Sequence, residues 1–410
     1  MSEIIADAVH CSETKSNGEI GGMSPIKSAA EFAKTSVIVN GVSVVVGDVF
    51  GGGSGGSLDR LKKRHPIAQF DGIVRFDDSH NPATGEARHD YYVMEKYGER
   101  LFHGSCTGLI EKYFPQFDAE GAYKGMERKG RFNDPDDEYY GMSKEEVLAQ
   151  WSDTGLRARN DGSAMHKTIE AFLNNCHDVD WPIWESPENK PALDRFLRFW
   201  RTEIVGKLIP WRTEMIMFDR RFEFAGQADF VYKRAEWLVS ESKANWIGIG
   251  DWKRSKKTFN ELPYKGQTGF GRCDSLPAVP LSKYRLQMSL YGSCMMRQTS
   301  YEVHELCLGI FHEAHADYRW VVTEPLFGIA DAMLVERRQL SVAKYLDTAL
   351  RLSHYARSTI EQHLDDDEDG YSDGALMQDA VRSLDGLVRD MAEFGASTEQ
   401  ILGVAKRKKM

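Results

Sequence analysis

The order of helix-like and strand-like segments between residues 143 and 322 limits this chain to a mixed α/β fold. Apolar residues recur at helical spacing over residues 162–175 and again over residues 189–206. Four strand-like runs follow, at residues 211–218, 222–232, 237–240 and 246–252. A helix is then predicted at residues 282–296, followed by strands at residues 302–311 and 318–322. This order predicts an α/β sheet with helices on its faces.

Three additions to this core are expected. Residues 1–65 have few large apolar clusters and contain a Gly/Ser tract at residues 51–57, which predicts a flexible tail and linker. A phosphate-binding loop would need a lysine after the last glycines. Leu58 follows Ser57 here, so this tract is not read as a phosphate-binding loop. Residues 66–140 predict short hairpin strands and a helix at residues 107–114. The core is assigned to residues 141–350 and a C-terminal helical region to residues 351–410.

The start of the core is marked by a capping box. Ser143 precedes the apolar helical pattern, and Glu146 follows three residues later. In this motif each side chain hydrogen-bonds to the backbone amide of the other residue, so a helix is predicted to begin directly after Ser143.

Cysteine use and hydropathy argue against a secreted or membrane-spanning protein. The six cysteines form no CxxC pair, the N-terminus has no apolar signal segment, and no run approaches 18 apolar residues. We therefore expect an intracellular protein with no membrane partner, and a nuclear or organellar compartment stays open. The basic residues 406–409 are of the kind that serves as a nuclear address, whereas early acidic residues disfavour a transit peptide.

An acidic segment at residues 365–370 has carboxylates and a glycine at positions that match the start of a calcium loop. The twelfth position, which should supply a bidentate glutamate, is Leu376. A solvated acidic loop is therefore favoured over a calcium site.

Three carboxylates interrupt the strand-like apolar runs. Glu214, Asp229 and Asp251 each stand within or at the end of such a run, where an unpaired charge is costly. Each of them alone is most simply explained as a residue at a strand end that faces water. Asp251 and Lys253 are two residues apart, so they project from one face of a strand, while Trp252 projects from the other.

Together these residues indicate phosphate-ester chemistry. Carboxylates gathered at the edge of a sheet bind Mg²⁺, which prefers oxygen ligands. The metal polarises a phosphodiester and generates hydroxide from bound water. Lys253 is suited to orient that water and to offset charge in the transition state.

Two helical pairs flank these strands. His166 and Glu170 lie one turn apart on a common helix face, and so do Gln287 and Tyr291 on a later helix. The amide and the phenol are suited to contact a nucleic-acid backbone or base. The simpler alternatives are that His166 is an ordinary histidine at the edge of the core and that Tyr291 is an aromatic side chain that covers the core.

In this order, Gly-x-x-x-His-x-x-x-Glu at residues 162–170, Glu214, Gly-x-x-Asp at residues 226–229, Asp-Trp-Lys at residues 251–253 and Gln287 with Tyr291 resemble the PD-(D/E)XK nuclease superfamily. The resemblance is to its RecB-like branch, which includes mitochondrial genome maintenance exonucleases and related viral and CRISPR-adaptation exonucleases. It covers roughly residues 140–325 and implies a restriction-endonuclease-like αβββαβ core. Ala228 stands where the family name has proline, and a strand-like insertion at residues 234–245 separates the two acidic motifs.

The resemblance implies a role for each matched residue. It implies that His166, Asp229 and Asp251 bind one or two Mg²⁺ or Mn²⁺ ions together with the carbonyl of Trp252. Lys253 would serve the attacking water, and Glu214 would support a metal or its water.

The implied substrate contacts come from Gln287 and Tyr291, with Arg254, Lys256 and Lys257 as a basic cluster beside the site and Glu170 in a secondary role. The iron–sulfur variants of this family have one cysteine before the core and three after the helix that carries Gln287. Only two cysteines, Cys294 and Cys307, follow Gln287 here, so no iron–sulfur cluster is expected.

The charge distribution is compatible with a nucleic-acid partner. The chain has 52 Lys and Arg against 62 Asp and Glu, a net charge of −10, which argues against nucleic-acid binding over the whole surface. Residues 195–260, however, carry 14 basic and 8 acidic residues, a local net charge of +6. Phosphate contacts are therefore expected near the predicted site only.

The expected function is that of a metal-dependent deoxyribonuclease. The resemblance favours an exonuclease or an end- or flap-processing enzyme that acts on single-stranded DNA or on DNA with free ends, in replication, repair or recombination. An RNA-directed nuclease and a nuclease-like module that binds nucleic acid without cutting it remain as alternatives.

Overall fold

The structure, a computed structural model, describes residues 58–71, 105–174, 189–257, 259 and 262–343. It also describes the backbone of five strands between residues 36 and 102, the side chain of Tyr91 and the isolated positions 187, 351 and 382. The predicted Gly/Ser tract, the acidic segment at residues 365–370 and the basic residues 406–409 lie outside the described residues.

The chain divides into two compact units. The larger comprises Met1–Asp219 and Phe224–Ala330, and it contains every residue of the predicted site. The smaller comprises Arg220–Glu223 and Asp331–Met410. Within the smaller unit, Arg337 Nε donates to the carbonyl of Phe222 at 3.0 Å and Ser341 Oγ donates to Glu223 Oε2 at 2.7 Å.

Ten strands are described, in three sheets. The N-terminal strands are β1 Ser36–Val39, β2 Val42–Val45, β3 Ile73–His80, β4 Ala87–Glu95 and β5 Gly98–Phe102. The central strands are β6 Leu208–Asp219, β7 Phe224–Arg234, β8 Trp246–Lys253, β9 Glu302–Ile310 and β10 Arg319–Thr323. The central sheet has the order β10-β9-β8-β7-β6, in which β8 and β9 are parallel and the other neighbours antiparallel.

The helices include α1 Arg60–Arg64, α2 Cys106–Glu111, α3 Ala119–Arg128, α4 Lys144–Leu173, α5 Lys190–Phe199, α6 Ala235–Leu238 and α7 Pro280–Gln298. A further helix begins at residue 327. The predicted α/β class, with a mixed sheet flanked by helices, is confirmed. Among the described residues, none of the helices combines the length and the apolar character that a bilayer span requires.

The long helix α4 begins where the sequence predicts it. Ser143 and Glu146 form the complete capping box, with Ser143 N donating to Glu146 Oε2 at 2.7 Å. The predicted helix at residues 162–175 is the C-terminal part of this single 30-residue helix. The helix predicted at residues 189–206 ends instead at Phe199 and continues as a π-helical turn over Trp200–Ile204.

One predicted strand is wrong. Residues 237–240 do not form a strand, because the chain turns through α6 directly after β7 and buries Trp237 from that helix. A short apolar run is compatible with either structure, and here tertiary packing decides in favour of the helix. Residues 60–64, which the sequence assigns to the tail, form α1 and bury Leu61.

An aromatic core lies between the central sheet and helices α4 and α5. Trp252 stacks on Phe230, with ring centroids 5.0 Å apart, and its ring edge meets Phe199 at 5.8 Å. Trp252 is 1% exposed. Fully buried aromatic side chains of this size each stabilise a fold by about 3–5 kcal/mol relative to alanine.

The opposite face of the sheet is covered by α7, which makes the crossover between the parallel strands β8 and β9. Its Gln287 contacts Asp251, the neighbour of Trp252 on β8. The alternation along β8 therefore places the aromatic core on one face and ionisable groups on the other, as the spacing of Asp251 and Lys253 predicts.

Candidate metal centre

Three carboxylates form a row across three neighbouring strands. On β6 and β7, Thr213 pairs with Phe230 and Met215 pairs with Ala228, so Glu214 lies opposite Asp229. On β7 and β8, Phe230 pairs with Gly250, so the next register position places Asp229 opposite Asp251. Directly opposed residues of antiparallel strands project to the same face.

His166 reaches this row from α4. Its Nε2 lies 3.0 Å from the carbonyl of Trp252, which accepts only from an N–H, so Nε2 carries the proton. Its Nδ1 then faces Asp229 Oδ1 at 3.5 Å and Glu214 Oε1 at 3.7 Å. A carbonyl that fixes one imidazole nitrogen and leaves the other towards carboxylates is the usual arrangement around a metal-binding histidine.

One ligand atom from each of His166, Glu214 and Asp229 lies within 4.8 Å of the other two, which is close enough to hold one cation. Glu214 Oε1 is buried and accepts no hydrogen bond from the described residues. A buried carboxylate oxygen without a donor is costly, and a hard divalent cation would satisfy it. The residues present therefore fit a metal ion.

Asp229 and Asp251 have different partners. Asp229 Oδ2 accepts a hydrogen bond from Trp252 N at 2.7 Å, which holds the carboxylate at the point where the β7–β8 pairing ends. Asp251 Oδ2 lies 2.5 Å from Lys253 Nζ. Asp251 Oδ1 accepts from Gln287 Nε2 at 3.3 Å. Asp251 thus orients Lys253 and Gln287.

The charges in this cluster shift one another's pKa values. Burial would raise the pKa of Asp229, but the neighbouring charges of His166 and Lys253 outweigh it and lower the pKa to about 2. Burial and then Asp229 raise the pKa of Glu214. Burial, only partly offset by Lys253, raises the pKa of Asp251 to about 7.

The two cations of the site stay charged without a metal. Burial would lower the pKa of His166, but the adjacent carboxylates of Asp229 and Glu214 raise it well above its usual value. Burial would likewise lower the pKa of Lys253, and the carboxylate of Asp251 raises it. A metal at His166 would therefore have to displace a proton.

The backbone at Glu214 is strained. Its φ of 42° lies in the left-handed region that residues with a Cβ rarely adopt. Gln227 Nε2 donates to Glu214 Oε2 and holds the side chain over Asp229. Strain of this kind costs about 1–3 kcal/mol and is concentrated at functional sites.

The side chain of Gln287 is held in place by Tyr291. Its Nε2 donates to the hydroxyl of Tyr291 at 3.2 Å, and Tyr291 is 3% exposed. The Tyr291 ring packs on Gly226, where a Cβ would collide with it. Tyr291 is therefore a support for Gln287, and the sequence-based expectation that it contacts the substrate stays a prediction.

The predicted basic cluster divides into two kinds of residue. Arg254 has a side chain that is 7% exposed and donates to Asn189 Oδ1 at 2.9 Å and to Asp161 Oδ2 at 3.0 Å. It joins α4 to the start of α5. Lys256 and Lys257 are exposed beside it. The half-buried Glu170 lies one turn after His166 on α4, and its carbonyl accepts from Asn174 Nδ2 at 3.0 Å.

Sequence reasoning missed three residues near the site. Tyr284 of α7 lies under Lys253, whose Nζ is 4.7 Å from the ring centroid, an attractive cation–π geometry. Gln227 holds Glu214, and buried Cys106 contacts the carbonyl of Gln287 at 3.9 Å. The helical spacing of Tyr284 and Gln287, three residues apart, is the one pattern that would have placed Tyr284 on this face.

No family model matches this sequence, and no curated protein is significantly similar to it. The functional interpretation therefore depends on the geometry of the residues described above.

Proposed function

We propose that this chain is a metal-dependent nuclease that hydrolyses DNA phosphodiester bonds. The observation that carries the proposal is the convergence of His166, Glu214 and Asp229 on one cation site, with Lys253 on the adjoining strand. A divalent cation and a nearby ammonium group are what a negatively charged phosphodiester requires in its transition state.

The order of elements supports the same proposal. A helix, three antiparallel strands, a crossover helix and a parallel strand follow one another as α4, β6, β7, β8, α7 and β9. This is the αβββαβ order that the resemblance to PD-(D/E)XK nucleases implies. Fold alone does not determine function, which depends on the residues of the site.

Mg²⁺ or Mn²⁺ would be held by His166, Glu214 and Asp229. When bound, the ion supplies Lewis acidity towards a phosphate oxygen and lowers the pKa of water. This ligand set differs from the expected one in two respects. The carbonyl of Trp252 is occupied by His166, and Asp251 is turned towards Lys253.

Side chains of the protein supply the remaining interactions with water and substrate. Lys253 donates hydrogen bonds and so orients a water molecule or a phosphate oxygen beside the carboxylate row. Asp251 and the Tyr284 ring restrict the position of its ammonium group. Gln287 Nε2 donates to Asp251 Oδ1 and to the Tyr291 hydroxyl, so its amide oxygen is the atom that we propose contacts the substrate strand. The net positive charge of residues 195–260 attracts DNA to this face.

The test is cleavage of end-labelled single-stranded DNA with Mn²⁺ or Mg²⁺. We expect Lys253→Met and Asp229→Asn to lower the rate by at least about 10²-fold, because the first removes a positive charge that stabilises the transition state and the second removes a ligand of the proposed metal ion. The matched control is Lys243→Met. Lys243 also lies over an aromatic ring, with Nζ 5.0 Å from Trp246, but outside the carboxylate row. This control should cleave at the wild-type rate.

The same assay separates the alternatives. Cleavage that survives in both purified, folded site variants, or that EDTA does not stop, contradicts the proposal. Binding without cleavage under all metal conditions would assign the chain to the non-cleaving modules. Preferential cleavage of an RNA oligonucleotide of the same sequence would make RNA the substrate. A circular strand, which has no ends, distinguishes endonuclease action, which cuts it, from exonuclease action, which does not.

A further inference from the structure

We infer that the described part of the segment between β8 and α7, residues 254–257, 259 and 262–279, is a stacking surface for the unpaired bases of single-stranded DNA. This inference rests on the proposed function and specifies how its substrate is held. The segment, called here the β8–α7 segment, starts directly after Lys253 and ends at the helix that carries Tyr284 and Gln287. Both of its ends therefore adjoin the site.

The β8–α7 segment exposes large apolar side chains although it has an interior of its own. Tyr264 is 69% exposed and Phe270 is 54% exposed, while Cys273 and Leu276 are buried. Single exposed apolar residues are common on protein surfaces. Leu262 of the same segment is 90% exposed as well. Two exposed aromatic rings and an exposed leucine in one short segment are typical of a binding surface.

The backbone around Phe270 is held in one conformation. Gly269 N donates to the carbonyl of Leu276 and Ala278 N donates to that of Gln267, each at 2.9 Å, which closes the segment on itself. Phe270 N donates to the carbonyl of Tyr113 at 2.8 Å and anchors the segment beyond the end of α2. An aromatic ring on such a rigid support loses little entropy when it binds a ligand.

The charge of the segment identifies the ligand. Its exposed side chains include Lys256, Lys257 and Arg272, and Asp274 is the single acid among its described residues. Basic groups interleaved with aromatic rings fit a phosphate backbone whose bases are free to stack. In a duplex the bases are already stacked on each other and do not offer their faces, so the surface favours a single strand.

A chain of ring contacts connects the segment to the site. Phe259, near the start of the segment, meets the Tyr284 ring edge-on with centroids 5.7 Å apart. The same Tyr284 ring lies under the ammonium group of Lys253. The segment that carries Tyr264 and Phe270 therefore contacts, through Phe259, the ring that lies under the residue proposed to act at the scissile phosphate.

The experiment measures binding separately from cleavage. The dissociation constant of a fluorescein-labelled dT oligonucleotide is measured by anisotropy in EDTA, for the wild type and for Tyr264→Ala/Phe270→Ala. Because stacking contributes about 5- to 150-fold per base, the double variant should bind at least about tenfold more weakly. Tyr264→Phe/Phe270→Tyr keeps both rings and should bind like the wild type. Val239→Ala, which shortens an exposed apolar side chain elsewhere, is the surface control.

An abasic strand of equal length tests the mechanism. The wild type should lose affinity for it, and the double alanine variant should then bind it as the wild type does. Equal affinity of the wild type and the double variant for dT, no binding of dT by the wild type, or an equal loss on duplex DNA would overturn the inference. Tighter binding of an rU oligonucleotide would overturn the assignment to DNA.

The two proposals fail in distinguishable ways. If wild-type protein cleaves DNA but the double alanine variant binds dT normally, the stacking surface is wrong and the nuclease stands. If the binding results hold but Mn²⁺ and Mg²⁺ support no cleavage, the surface stands and the chain binds single strands without cutting them.

Discussion

Two partly buried polar clusters of the central sheet differ in whether their charges are balanced. In the first, called here the Glu305 cluster, Tyr232 Oη donates to Glu305 Oε2 at 2.5 Å and Arg234 Nη2 donates to Oε1 at 2.8 Å. In the second, the carboxylate row, three acids face two cations. One cluster has donors for both oxygens of its acid. In the other, no described residue donates a hydrogen bond to Glu214 Oε1, and the nearest cation, His166 Nδ1, is 3.7 Å away.

The difference separates a structural role from a functional one. A buried carboxylate with all its hydrogen bonds made is part of the fold. A buried group of carboxylates with an excess of negative charge is stable only because the surrounding fold holds it there, and it gains most when a cation binds. The predictions that follow test whether substitutions in the two clusters have opposite consequences.

The largest effect on stability is expected for Glu305→Gln. The substitution removes the charge that faces Arg234, whose side chain is 27% exposed, and one oxygen that accepts from it. Loss of a buried ion-pair partner typically costs about 3–5 kcal/mol, so about 3 kcal/mol is expected for this partly exposed pair. Urea unfolding in EDTA measures it. An unchanged unfolding midpoint would remove the Glu305 cluster as a structural reference.

Metal should stabilise the carboxylate row and leave the Glu305 cluster unaffected. At 100 times its dissociation constant, a cation that binds only the folded state adds about 2.7 kcal/mol. Mn²⁺ should therefore raise the melting temperature of the wild type and of Glu305→Gln. It should not raise that of Asp229→Asn. If Mn²⁺ still raises the melting temperature of Asp229→Asn, the ion binds elsewhere.

In the absence of metal, Glu214→Gln should stabilise the protein, opposite to Glu305→Gln. Burial and Asp229 raise the pKa of Glu214, so its ionised form is unfavourable in the folded state. The folded protein then binds more protons than the unfolded chain, and stability is lost as the pH rises through the folded-state pKa. Glutamine avoids that loss and keeps the contact with Gln227. We expect a gain of about 1 kcal/mol at pH 8 that shrinks towards pH 4.

Unfolding of the two proteins in EDTA across that pH range measures the difference. A gain for Glu214→Gln that is the same at pH 4 and pH 8 would contradict the raised pKa. A destabilised variant at pH 8 would mean that Glu214 is as well satisfied as Glu305.

Local rules predicted much of the fold. The capping box at Ser143 and the two-residue spacing of Asp251 and Lys253 depend on neighbours in the chain, and the structure confirms both. Trp237 shows the limit, because a short apolar run suits a strand or a helix and only packing decides.

The carboxylate row itself was not predictable at the level of contacts. Glu214 faces Asp229 because of the β6–β7 register, which shifts between Pro210 and Arg212. A register slip of one residue would turn a carboxylate to the other face, and no local sequence pattern determines it. Tyr284 likewise reaches Lys253 only through the β8–α7 segment and the packing of α7 on the sheet.

The smallest effect is expected on kcat, for a substitution of Tyr284, because the two clusters hold their cations differently. Arg234 donates to both oxygens of Glu305, whereas Lys253 is held by Asp251 on one side and the Tyr284 ring on the other. A cation–π contact contributes about 0.5–1 kcal/mol, so Tyr284→Leu should lower kcat by about two- to fivefold with little change in KM. Tyr284→Phe keeps the ring face and should retain the wild-type kcat. If Tyr284→Phe loses as much activity as Tyr284→Leu, the hydroxyl and not the ring is the functional group.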